Sequence, residues 1–190
     1  RLIFSSTAAV YEGGHEPPFR EYMEPTLQIK NSYGQVKAMI ERILKDVCDK
    51  ENINCTILRY FNPYEVEGDL IDYTGTNVYE IIRECQKKDT TFQIFGKNLP
   101  TRDGTCIRDF IHISELIQQH IQVLEYTQKE VYEVFNLGTG NGKTVLELVR
   151  EAEERYHKKI KIEYTNPREG DMSLCYADTN KFKNEIINKM

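Results

Sequence analysis

The sequence predicts an α/β protein built on parallel strands that are covered on both faces. Two observations carry this. Short β-rich runs alternate with helical periodicity along the whole chain, with no internal repeat or low-complexity linker. The runs flanking the strongest helical pattern are nearly continuous in apolar residues, as strands buried on both faces are.

In chain order, Leu2 to Phe4 reads as the middle of a buried strand, which leads us to expect more protein ahead of Arg1. From Asn31 to Lys50 the residues Val36, Met39, Ile40, Ile43, Leu44 and Val47 recur at helical spacing with charge on the other face. Ile53 to Arg59 then supplies a second strand and completes a strand–helix–strand unit. The pattern loosens after Asn62 through Pro63, Gly68 and Gly75, before a helix near Asn77 to Lys87 and a strand near Phe92 to Phe95. A loop rich in Gly, Pro and Asn from Gly96 to Gly104 leads into a run from Cys106 to Ile113, after which Ser114 is expected to cap a helix reaching about Thr127. Tyr132 to Leu137 reads as a strand. Thr144 and Glu147 fit a capping box that opens a helix with the stripe Val145, Leu148, Val149, Ala152 and Tyr156. Ile160 to Tyr164 is the last strand, and Asp178 is placed to cap a terminal helix.

The chain has 190 residues, with 25 basic against 30 acidic residues and a net charge of −5, and no run of Lys or Arg exceeds two. A clustered positive face for nucleic acid is therefore not expected. No apolar run approaches the roughly 20 residues that span a bilayer, so no membrane partner is expected either. The five cysteines, Cys48, Cys55, Cys85, Cys106 and Cys175, include no C-x-x-C pair. Their odd number argues for a reducing compartment, with the cytoplasm the expected location, and neither a disulfide framework nor a metal site is expected. The opening R-L-I-F-S-S-T shows no secretory leader.

Tyr33 and Lys37 form Y-x-x-x-K, a spacing that stacks both side chains on one helix face. A phenol titrates near pH 10, and a nearby cation favours phenolate, so the pair can serve as a general base. The same spacing also occurs among ordinary surface residues. Ser5, Ser6 and Thr7 follow the first strand, where a parallel sheet presents groups at its carboxyl edge, and a hydroxyl there could relay a proton to Tyr33. A turn capped by those hydroxyls is the plainer alternative. Arg108 and Arg168, beside Gly-rich turns, suit the forked recognition of a diphosphate, although a solvated ion pair would explain either one singly. The segment Gly138 to Thr144 imitates a phosphate cradle, yet G-x-x-x-x-G-K-T would need Gly where Leu137 stands, and Gly142 falls one place early for G-x-G-x-x-G. It reads as a tight turn feeding the following helix.

Taken together, F-S-S-T-A-A-V-Y, N-S-Y-G-Q-V-K, L-R-Y-F-N-P, I-F-G, D-G-T-C-I-R-D-F-I-H, N-L-G-T-G-N-G-K-T-V-L-E and P-R-E-G-D-M-S-L-C-Y-A-D resemble, in this order, the UDP-glucose 4-epimerases of the extended short-chain dehydrogenase/reductase superfamily. The resemblance runs over nearly the whole chain. It implies the C-terminal part of a Rossmann-like doubly wound parallel sheet at residues 1–62, followed by a smaller α/β nucleotide-sugar-binding domain at 63–190. Residues 107–130 are candidates to pack back on the first part. The implied activity interconverts UDP-glucose and UDP-galactose by transient NAD-dependent oxidation at C4, in a homodimer. Thr7 and Tyr33 match the hydroxyl pair at the sugar, and Lys37 matches the lysine at the nicotinamide ribose. The resemblance puts Ser5, Ser6, Tyr33, Lys37 and Tyr60 at the cofactor. It puts Thr7, Phe61, Asn62, Asn77, Phe95, Arg108, Arg168, Asp171 and Cys175 at the UDP-sugar. Related dehydratases and decarboxylases carry acids where this chain has Ala8 and Ala9, which leaves oxidation and re-reduction at one carbon. Cys175, being small, leaves room for an N-acetyl group. The superfamily's G-x-x-G-x-x-G turn is not in this chain, Glu12 replaces a family glycine, and Tyr64-Glu65-Val66 replaces a Gly-Ala loop. Two alternatives remain: an inactive nucleotide-sugar-binding fragment, and a UDP-pentose or uronate 4-epimerase.

Overall fold

The computed structural model describes residues 1–65, 78–126, 130–168 and 171–189. Its elements are β1 (Leu2–Thr7), α1 (Ser32–Glu51), β2 (Cys55–Tyr60), β3 (Asn62–Tyr64), α2 (Val78–Lys88), β4 (Phe92–Phe95), β5 (Ile107–His112), α3 (Ile113–Glu125), β6 (Tyr132–Leu137), β7 (Gly142–Thr144), α4 (Val145–Tyr156), β8 (Ile162–Thr165), β9 (Leu174–Cys175) and α5 (Asn180–Glu185). One sheet has the order β1-β2-β6 and is wholly parallel, with Thr7 opposite Tyr60 and Tyr60 opposite Leu137. Its three strands therefore end level and share one carboxyl edge. A boundary at residue 62 cuts across this sheet, because the third strand comes from residues 132–137.

A second sheet is mixed. β5 runs parallel to β3 and β9 but antiparallel to β7. The three short strands around β5 have only two or three residues each, too few for a hydrophobic period to show in the sequence. β4 and β8 form a separate parallel pair. Ile82, Phe92, Ile94, Phe110, Leu148, Val149 and Ile160 make the core of this half.

The helix ends show which local signals decide. Asn31 caps α1 by accepting the N–H groups of Tyr33 and Gly34 at 2.9 and 3.3 Å. The capping box at Thr144 and Glu147 forms as the spacing predicts. Ser114, in contrast, is not the cap of α3. His112 takes that place, and its Nδ1 accepts the Ser114 N–H at 3.3 Å. Asp178 accepts the Asn180 N–H at 2.9 Å, although Thr179 is the residue that directly precedes α5.

The stripe that marks α1 is not its packed face. Val36, Met39, Ile43 and Val47 are exposed, whereas Gly34, Glu41 and Cys48 are buried. Leu44 packs with Cys48, Cys55, Ile57 and Val134. A Cβ on Gly34 would come within 2.9 Å of the Ala9 carbonyl oxygen, so the helix backbone itself approaches the turn after β1.

Glu41 points inward because a cation waits there. Arg59 of β2 meets it at 2.7 Å, with the two side chains 1% and 3% exposed. The Ser6 hydroxyl donates to the same carboxylate. The remaining guanidinium donors reach the carbonyls of Glu21 and Met23 at 3.4 and 3.0 Å, and the group stacks 4.8 Å over Tyr11. Burial works against the Arg59 charge, but Tyr11 and Glu41 outweigh it and raise the pKa above the usual arginine range. Tyr11, pushed up to about 12 by its own burial, donates to Asn136 Oδ1 at 2.7 Å.

Removing one partner of a buried, hydrogen-bonded pair strands the other charge, so Glu41→Ala is expected to cost about 3–5 kcal/mol in urea denaturation. Replacing both Glu41 and Arg59 by apolar residues should cost less than Glu41→Ala alone. Arg102, together with the Thr144 N–H, lowers Glu147 from 4.5 to about 2. A depressed carboxylate stabilises above its unfolded pKa and loses that contribution as pH falls through its folded one. Glu147→Gln should therefore show a smaller fall in Tm than the parent protein between 4.5 and about 2.

Candidate functional site

The carboxyl edge of β1 and β2 gathers most of the residues expected at the cofactor. Lys37 donates through Nζ to the Ser5 carbonyl at 2.9 Å, 4.7 Å above the Phe4 ring and 5.8 Å from the centre of the Tyr33 ring. Tyr33 and Lys37 thus converge on one face, one turn apart, with the Tyr33 side chain exposed. Ser5 Oγ lies 2.9 Å from the Tyr60 hydroxyl, so the last residue of β2 is tied across to β1. Half-buried, Tyr60 has its pKa raised by desolvation, while its bond to Ser5 pulls the other way. Thr7 ends β1 and accepts the Ala9 N–H at 3.2 Å, which fixes its hydroxyl oxygen beside the strand end. Because the three hydroxyl residues lie within β1 rather than after it, their side chains alternate. Ser6 accordingly turns inward to Glu41, away from Ser5 and Thr7.

From Tyr60 an open cleft of about 870 Å³ runs toward the second sheet. Asn62, Phe95, Arg108, Arg168 and Asp171 line it, so the fold brings together residues far apart in sequence. The Arg168 guanidinium stacks 3.8 Å over the Phe95 ring. Arg108, held by the Ile107 carbonyl at 2.9 Å, has its other nitrogen 3.9 Å from Asp171. Two guanidiniums beside an aromatic ring can hold an anionic group and a flat base together. Phe61 and Cys175 lie outside this lining, buried with Ala8, Val10, Tyr11, Phe19 and Ala177. Burial pushes the Cys175 thiol up to about 12, so it is inert and contributes only its small volume. Asn77 lies outside the described residues.

The turn that imitates a phosphate cradle already holds an anion, one belonging to the chain. Asp109, fully buried, accepts the N–H groups of Thr139, Gly140 and Ala177 at 2.9, 2.9 and 3.2 Å and the Thr139 hydroxyl at 2.6 Å. A Cβ on Gly138 would come within 2.7 Å of that carboxylate, which accounts for the glycine. The carboxylate thus uses these donors, joins β5 to the end of β6 and fixes where Arg108 stands.

Sequence reasoning missed Asp109, Glu41, Arg59 and His120. His120 lies on the buried face of α3, one turn from Leu116 and Val123, and its Nδ1 is 2.7 Å from the Tyr60 hydroxyl. Arg59, Asp109 and His120 are polar residues on otherwise apolar faces, a signal that could have marked them, whereas Glu41 shares its face with Gly34 and Lys37 and carries no such mark. Among the described residues, no group of three or more His, Cys, Asp or Glu is arranged to hold a metal ion.

Residues 1–138 match the NAD dependent epimerase/dehydratase family. A UDP-glucose 4-epimerase of Dictyostelium discoideum is 35% identical over 98% of this chain and 56% of its own length. The structure of a UDP-glucose 4-epimerase from Bifidobacterium longum in complex with NAD⁺ and UDP superposes with a TM-score of 0.87 at 34% identity, covering 97% of this chain and 57% of that one. A UDP-glucose 4-epimerase from Stenotrophomonas maltophila, with bound NAD and formylated UDP-arabinopyranose, also gives 0.87, at 29% identity over 98% of this chain and 57% of that one. The chain thus spans somewhat more than half the length of these relatives.

Asp109→Leu leaves several buried donors without an acceptor, and each such loss costs about 1–3 kcal/mol. The variant is expected to be destabilised by at least about 3 kcal/mol in urea denaturation, and Asp109→Asn by less.

Proposed function

Since the chain belongs to the NAD dependent epimerase/dehydratase family, we propose that the protein is a UDP-hexose 4-epimerase interconverting UDP-glucose and UDP-galactose. One observation carries this reading: the cleft that holds Arg108, Arg168 and Phe95 ends at Tyr60, on the edge where Lys37, Ser5 and Tyr33 meet. A substrate anchored by a diphosphate at one end would have its sugar at the proton-handling end.

The donor set suits a nicotinamide nucleotide. Lys37 has three N–H donors, one of them engaged by Ser5, and Ser5 and Tyr60 add hydroxyls at the carboxyl edge of a parallel sheet. When bound, NAD supplies reversible two-electron oxidation at the sugar carbon. The chain's own residues do the rest. Tyr33 takes the proton of the sugar 4-hydroxyl and later returns it, with Thr7 in the hydrogen-bond path. Lys37 holds the ribose beside it. Arg108 and Arg168 grip the diphosphate, Phe95 carries the base against Arg168, and Asn62 faces the sugar. Ala8 and Ala9 put no acid beside Thr7, which favours epimerisation over elimination.

Residues 1–62 serve the cofactor and most of 63–190 the nucleotide sugar, with β6 and α3 returning to the first sheet. The small, buried Cys175 favours acceptance of UDP-N-acetylhexosamines as well. The sugar nucleotide in the Stenotrophomonas structure favours a UDP-pentose as a second substrate class. The exposed residues Val36, Met39, Ile43 and Val47 of α1 offer an apolar face for a homodimer, and the cytoplasm is the location this reading expects.

The decisive variant is Tyr33→Phe in the complete protein. Turnover of UDP-galactose should fall at least about 100-fold, since a proton-transfer group contributes about 10²–10⁴, while calorimetry shows UDP affinity within about twofold of the parent. Unchanged turnover removes Tyr33 from this role.

A further inference from the structure

We propose that His120 is a positioning residue that sets the Tyr60 hydroxyl, and through it Ser5, at the cofactor edge. This inference rests on the epimerase reading. It starts from an unbroken series of contacts: Lys37 Nζ to the Ser5 carbonyl at 2.9 Å, Ser5 Oγ to the Tyr60 hydroxyl at 2.9 Å, and that hydroxyl to His120 Nδ1 at 2.7 Å. Ser5 and Tyr60 belong to neighbouring parallel strands. His120 comes from α3, in the other half of the chain.

The chemistry gives the series a direction. In the tautomer protonated on Nε2 the imidazole accepts at Nδ1, Tyr60 donates to His120, and the phenol oxygen is left to accept from Ser5. The phenol then has no proton free for any competing acceptor, and its ring, 6.3 Å from the imidazole and edge-on, is held at one orientation. Leu116 and Val123 on either side bury this face of α3, and Tyr60 packs against the same cluster. The bond between His120 and Tyr60 is therefore made beside this apolar cluster.

His120 also connects the two ends of the site. β5 and α3 are continuous, with Arg108 near the start of β5 and His120 two turns into α3. Arg108 faces the nucleotide end of the cleft, and His120 reaches the edge where Lys37 stands. One rigid strand–helix unit thereby holds the substrate grip in register with the cofactor edge. Loss of the imidazole should loosen the cofactor end alone.

The test is a double-mutant cycle in the complete protein with His120→Ala, Tyr60→Phe and both, plus His120→Asn, whose side-chain carbonyl can accept in place of Nδ1. NAD⁺ affinity is read by quenching of protein fluorescence, UDP affinity by calorimetry, and kcat and KM with UDP-galactose. His120→Ala should weaken NAD⁺ binding and lower kcat by about tenfold each, the scale of one lost hydrogen bond. KM and UDP affinity should stay within about twofold. His120→Asn should recover most of the loss, and His120→Ala should add little once Tyr60 is Phe. Parent-like NAD⁺ affinity and kcat in His120→Ala would overturn the proposal. So would losses that extend equally to UDP affinity, fail to recover in His120→Asn, or add in full to those of Tyr60→Phe. A parent protein that turns over no UDP-sugar, but whose NAD⁺ affinity still falls in His120→Ala and recovers in His120→Asn, keeps His120 in place and removes the epimerase reading instead.

Discussion

The buried ion pair between Glu41 and Arg59 is the contact that the candidate site depends on most. It joins α1 to β2, takes in Ser6 from β1, and reaches the carbonyls of Glu21 and Met23. Burying two charges is costly, and the cost is offset only when geometry is good and the other donors are satisfied. Both conditions hold here. Lys37 and Tyr33 lie one and two turns before Glu41 on the same helix face. Fixing Glu41 against the sheet therefore fixes where the ammonium and the phenol stand relative to Ser5 and Thr7.

A second buried carboxylate does the same for the other end of the cleft. Asp109 locks the turn after β6 to β5, one residue from Arg108. The two anchors differ in kind. Glu41 is neutralised by a guanidinium, whereas Asp109 is held by backbone N–H groups and a hydroxyl, which can stabilise a buried carboxylate without a counter-charge. Between them these two carboxylates set Tyr33, Lys37 and Arg108 from the interior, whereas Arg168 and Asp171 reach the cleft from the exposed stretch after β8.

Much of this was legible in the sequence, and the parts that were not have physical reasons. The long helix, the capping box at Thr144 and the three strands of the parallel sheet follow from periodicity, and the residues of the cleft follow from the motif resemblance. The packed face of α1 does not. Its stripe of Val36, Met39, Ile43 and Val47 is more apolar than the side that touches the sheet, where Gly34 permits close approach and Glu41 answers Arg59. Pattern alone favours the wrong face, because an ion pair between residues 18 apart in sequence leaves no local mark. The inward turn of Ser6 was likewise hidden until β1 was seen to continue to Thr7. β7 and β9 are too short to carry a period, and His112 displaced Ser114 as cap because an imidazole nitrogen accepts an N–H as a serine oxygen does.

The proposed epimerase reading makes one chemical assertion: a single sugar carbon is oxidised and re-reduced at this edge, with only the hydroxyl proton passing through Tyr33. Turnover of UDP-galactose carrying deuterium at C4, by the complete protein in ordinary water, tests it most directly. The account predicts UDP-glucose that retains its deuterium at C4 over many turnovers. Product that has lost the label to solvent, as proton abstraction from carbon would give, contradicts it.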